Sequence, residues 1–68
     1  MNLKEIGNQI KTIRKSQGLS QEALRDLSNV NLVTISKVEN GRGNYSLKTL
    51  HQLVTALGCT FRVVIEKV

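Results

Sequence analysis

Four stretches of this sequence carry apolar residues at spacings of three and four. Each opens on a capping residue and closes on glycine or asparagine, which commits the chain to short helices in succession. Leu3, Ile6, Ile10 and Ile13 line one face of a first helix from about Asn2 to Gln17, with Lys4, Lys11 and Lys15 on other faces. Asn2 can cap its start with Glu5 as capping-box partner, and Gly18 is a natural left-handed stop. In the second, Ser20 is a good N-cap, Glu22 suits the positive end of the dipole, and Ala23, Leu24 and Leu27 are expected to face inward. It ends near Ser28. Asn29 tolerates positive φ and can form the tight turn that returns Val30 to the core. Asn31 caps a third helix of roughly residues 32–40, with Ile35 and Val38 inward and Gly41 at its end. A loop from Arg42 to Tyr45 leads to Ser46, which caps a fourth helix whose stripe is Leu47, Leu50, Leu53, Val54 and Leu57, stopped by Gly58.

The last ten residues change period. Cys59, Phe61, Val63 and Ile65 alternate with Thr60, Arg62, Val64 and Glu66, a β-branched pattern that predicts a strand. No other segment reads as a strand, and a lone strand leaves its backbone groups unpaired. The simplest solution is antiparallel pairing with the same strand of a second copy, about a two-fold axis. Phe61, Val63, Val64 and Ile65 are then the dimerisation residues. The alternatives are a frayed tail or an edge used by a different protein. The expected architecture is mainly α: a compact four-helix unit over 1–58 and a pairing strand over 59–68, together one small domain.

Composition narrows the functional classes. The chain has 68 residues, too few for a large pocket behind a complete catalytic scaffold. One cysteine and one histidine argue against a disulfide framework or a zinc site, so no metal and no cofactor is expected. Cys59 reads as a small buried apolar group, and His51 as a surface or dimer-contact residue. Glu5, Glu22, Asp26 and Glu66 form no paired-carboxylate site, and Ser20, Ser36 and Ser46 are accounted for by capping or groove contact. No catalytic residue is expected and the chain is not read as an enzyme. No apolar run approaches the roughly 18 residues of a membrane span, and no signal pattern is visible, so no membrane partner and a cytoplasmic setting are expected. Ten Lys and Arg against five Asp and Glu leave a charge of +5, which favours an anionic partner, nucleic acid first.

Two short helices joined by a tight turn inside a small basic helical unit form the helix-turn-helix pattern. The run Leu19-Ser20-Gln21-Glu22-Ala23-Leu24, then Val30, then Thr34-Ile35-Ser36-Lys37-Val38-Glu39-Asn40-Gly41, then Ser46-Leu47-Lys48-Thr49-Leu50 and Ala56-Leu57-Gly58 resembles the Cro/CI (Xre-type) helix-turn-helix family. The resemblance covers nearly the whole chain up to Gly58 and needs no insertion between the second and third helices. It implies binding to double-stranded DNA.

In such a unit the third helix lies in the major groove, where its outward residues meet base edges. Here these are Asn31, Leu32, Val33, Ser36 and Lys37. Asn31 and Ser36 can exchange hydrogen bonds, and Lys37 can reach guanine acceptors or a phosphate. Leu32 and Val33 could pack on thymine methyl groups or turn partly into the core, and both readings stand. Gln21 resembles the family's phosphate-contacting glutamine. The alternative is a solvated first-turn residue. Arg42 and Asn44 fall in the loop that relatives press against the sugar-phosphate backbone, and the Tyr45 hydroxyl could join them. Lys48 sits where it opposes the dipole of the fourth helix, which hints at a phosphate partner. The resemblance also implies a buried structural ion pair between Arg14 and Glu39. Arg25 stands where relatives usually have alanine, and must snorkel out or widen the crossing.

The terminal strand gives the tail the look of HipB-type antitoxins of HipA-type kinase toxins, in which terminal strands of two subunits pair. The leading expectation is therefore a homodimeric repressor on a palindromic operator, the antitoxin of a toxin–antitoxin operon with a protein toxin as partner. The alternatives are a stand-alone phage or restriction-modification controller regulator, and a protein-interaction module that no longer reads DNA.

Overall fold

The computed structural model describes residues 2–68. Its elements are α1 (Leu3–Ser16), α2 (Gln21–Ser28), α3 (Leu32–Glu39) and α4 (Leu47–Ala56). Each helix begins where a side chain satisfies an otherwise orphaned backbone N–H. Asn2 Oδ1 accepts from Glu5 N at 2.9 Å and Ser20 Oγ from Ala23 N at 3.0 Å. Asn31 Oδ1 accepts from Thr34 N at 2.8 Å and Ser46 Oγ from Thr49 N at 3.1 Å. Asn29 takes the left-handed conformation at φ 61°, and its N–H closes α2 onto the Arg25 carbonyl at 2.9 Å. That reversal lets Val30 drop back into the core, only 6% exposed.

The core is wholly aliphatic: Ile10, Leu24, Val30, Ile35, Val38, Leu50, Leu53, Val54 and Leu57. α1 packs on α3, while α2 packs on both α3 and α4. The α1–α3 approach is tight because Gly7 lies at it; a Cβ there would overlap the Val38 carbonyl oxygen. Gly41, at φ +67°, leaves room for the start of α1, since a Cβ would fall 2.7 Å from Lys4 Cα.

Two expected core residues lie outside the core. Leu27 is 60% exposed because the buried line of α2 runs through Leu24 and Ser28. At 100° per residue, Leu27 falls roughly 80° off that line. Leu47 is 58% exposed, as the first residue of α4 at the rim of an apolar groove.

The terminal strand is also corrected. Residues 59–68 carry no regular secondary structure, and there is no strand among the described residues. The reason is the one that made the segment conspicuous in sequence: a ladder needs free backbone groups opposite, and those of α1–α4 are spent inside helices. Cys59 N–H bonds the Val54 carbonyl at 2.8 Å, and the chain then runs beside the groove lined by Ile6, Ile13, Leu50 and Val54. Phe61 packs half-buried against the core, with its ring centroid 6.2 Å from that of His51. Beyond it Val63, Val64 and Ile65 are all exposed, so the expected alternation does not translate into burial within one chain.

Candidate nucleic-acid interface

A buried ion pair ties the helix-turn-helix unit to α1. Arg14 Nε donates to Glu39 Oε2 at 2.7 Å and its second terminal nitrogen to Oε1 at 3.0 Å, a two-pronged contact. The remaining terminal nitrogen donates to the Leu19 carbonyl at 2.7 Å, at the entrance to α2. The Glu39 hydrogen bonds hold the Arg14 pKa above its ordinary value against the opposing effect of burial, with the charges of Glu39 and Glu22 assisting. α1, the α2 entrance and the end of α3 are thereby fixed to one another.

Gln21 joins this cluster. Its Nε2 donates to Glu39 Oε1 at 3.1 Å, so the residue is half-buried and held inward, not free in solvent. One amide hydrogen remains for an outside acceptor.

The outward side of α3 separates the two readings of its apolar residues. Val33 is 65% exposed, whereas Leu32 is half-buried. Val33 and Lys37, four residues apart and both exposed, share one helix face. Asn31 is exposed, with Oδ1 committed to the cap and its amide nitrogen free to donate. Ser36 is half-buried, and Asn40 Nδ2 donates to its carbonyl at 2.8 Å.

The loop after α3 folds back on that helix. Arg42 N–H bonds the Lys37 carbonyl at 2.8 Å, and the Lys37 side chain passes over Gly43. Lys37 and Arg42 are thus brought together at the end of α3. Asn44 is exposed beyond them, and Lys48 is exposed in the first turn of α4. Tyr45 does not join them: it packs against the core, its hydroxyl buried. Arg25 turns outward and pairs with its neighbour Asp26 at 3.1 Å. Among the described residues no group of His, Cys, Asp and Glu could hold a metal ion, and no helix is long and apolar enough to cross a membrane.

The HTH_3 helix-turn-helix model matches residues 10–64, which span α2, the turn and α3. The chain belongs to the HTH_3 helix-turn-helix family. Among solved HTH_3-like structures, the restriction-modification controller protein C.AhdI from Aeromonas hydrophila is 37% identical with a TM-score of 0.78, over 84% of this chain and 86% of that one. The controller C.Esp1396I, solved as a tetramer in complex with its natural 35 base-pair operator, is 31% identical with a TM-score of 0.79, over 85% of this chain and 76% of that one. A competence pilus inhibition repressor from Acinetobacter baylyi is 38% identical over 56 residues, 82% of this chain and 51% of the repressor. An HTH-type transcriptional regulator from Haemophilus influenzae is 40% identical over 53 residues, 78% of this chain and 54% of that regulator. The chain spans about half the length of these two curated relatives.

Proposed function

We propose that the chain is a transcriptional regulator that binds double-stranded DNA as a homodimer on a palindromic operator. The observation that carries this is the exposed side of α3, with Asn31, Val33 and Lys37, adjoining the cationic loop at Arg42 on a helix-turn-helix frame. Val33 would contact thymine methyls and Asn31 and Lys37 base edges, while Leu32, half-buried, contributes only its outer edge. Ser36 lies at the border of that face. Gln21, Arg42, Asn44 and Lys48 would hold phosphates, fixing register without reading sequence. The apolar residues Val63, Val64 and Ile65, exposed in one chain, are the material for pairing with a second copy, with Phe61 at the base of the interface.

The likeness to two restriction-modification controllers and to a repressor favours a stand-alone regulator that represses its target. The antitoxin role with a toxin partner has a single support, the exposed apolar tail. The test is a titration of the purified protein on the DNA upstream of its own gene at several salt concentrations. Saturable binding that weakens steeply with salt is expected. Absence of binding at low salt refutes the proposal and leaves the protein-interaction reading.

A further inference from the structure

Two lysines of α1, Lys4 and Lys11, assigned no role by the helix-turn-helix pattern, lie beside the candidate interface. Lys4, Asn8 and Lys11 share one side of α1, spaced four, three and seven apart, and line one groove with Glu5, Glu39 and Asn40. The groove meets the candidate interface twice. At one end Gly41, the residue before Arg42, is packed on Lys4 so closely that a Cβ would sit 2.7 Å from Lys4 Cα. Along its floor Glu39 is the residue that holds Gln21, at 3.1 Å. The Glu39 charge is already matched by Arg14 at 2.7 Å, so the free charges at the groove are Lys4 and Lys11 against Glu5.

We infer that this α1 edge is a further binding surface for the phosphate backbone of duplex DNA, with Lys4 and Lys11 as phosphate contacts and Asn8 as a neutral donor between them. The two lysines are seven residues apart, about 10 Å along the helix at 1.5 Å per residue. That is about three base-pair steps of 3.4 Å, so two different phosphates of one strand are within reach. Glu5 opposes the contact from the same groove. The inference rests on the DNA-binding reading above.

The test uses the full chain and a short mixed-sequence duplex, because phosphate contacts do not depend on sequence. Replacing Lys4 and Lys11 with glutamine should lower the slope of log affinity against log salt by about 1.8 per protomer, at about 0.9 per phosphate. Across a fourfold rise in salt the variant then loses about tenfold less affinity per bound protomer than the unmodified protein, or about a hundredfold less for a dimer bound through both protomers. Glu5→Gln should move binding the other way and tighten it at low salt. If the unmodified protein binds and neither substitution shifts the slope or the affinity, the α1 surface is overturned and the parent reading stands. If the unmodified protein does not bind the duplex at low salt, both fall. Thermal unfolding of the variants separates lost contact from lost fold, and Glu5→Gln, at an exposed position, keeps the inference refutable should the double lysine variant unfold.

Discussion

Replacing Arg14 with methionine should destabilise the domain by about 3–5 kcal/mol, the cost of leaving a buried charge without its partner. The Glu39 side chain is 1% exposed and would lose both arginine contacts, at 2.7 and 3.0 Å, keeping only the Gln21 bond at 3.1 Å. The Leu19 carbonyl would lose its 2.7 Å donor as well. A domain of 68 residues has a total stability of about 3–10 kcal/mol, at roughly 0.05–0.15 kcal/mol per residue, so the loss takes from about a third of that stability to all of it. Arg14→Met combined with Glu39→Leu removes both charges and should recover most of the loss, since apolar side chains of similar volume fill such a site well. The assay is urea unfolding followed by far-UV circular dichroism. A single-variant loss below about 1 kcal/mol, or a double variant no better than the single, would refute the reasoning. The linkage also has a sign. A raised folded-state pKa on a cation gives stability that is fully present below the unfolded value and fades as pH rises through the folded one. Both lie in the arginine range, so this contribution should stay constant through neutral pH.

Three further perturbations address packing, the turn and assembly. Gly7→Ala gains about 1 kcal/mol of helix propensity but forces α1 off the Val38 carbonyl, so a net loss of about 1–2 kcal/mol is expected by thermal unfolding; a gain would mean the helices part freely. Asn29→Ala should cost about 1 kcal/mol at the left-handed turn, whereas Asn29→Gly should be close to neutral; equal effects would show that the φ of 61° is not the determinant. Ile65→Asp, at a residue 93% exposed in one chain, should leave monomer stability unchanged while weakening self-association in light scattering; an unchanged mass in a dimeric protein would remove the tail from the interface.

Helix boundaries were legible because every cap was local. Asn2, Ser20, Asn31 and Ser46 each bond three residues ahead, a spacing visible in the sequence. Burial was less legible where a helix is short. Leu27 shares a spacing of three with Leu24, yet the direction of α2 is fixed by its tertiary contacts with α3 and α4, which periodicity does not encode. Gly7 is an isolated glycine inside a helical pattern, a sequence signal that often marks close packing. The bond from Gln21 to Glu39, and the approach of Lys4 to Gly41, join residues far apart in the chain and had no local signal. Alternation in the tail describes what a strand would present to a partner, not whether one is there.

Footprinting of the protein on the DNA upstream of its own gene tests the central claim most directly. A dimer presenting two α3 helices should protect two half-sites about 10 base pairs apart, centre to centre, or a multiple of that spacing, and the footprint should fade as salt rises. A uniform pattern of cleavage at low salt, with folded protein in excess, would contradict it.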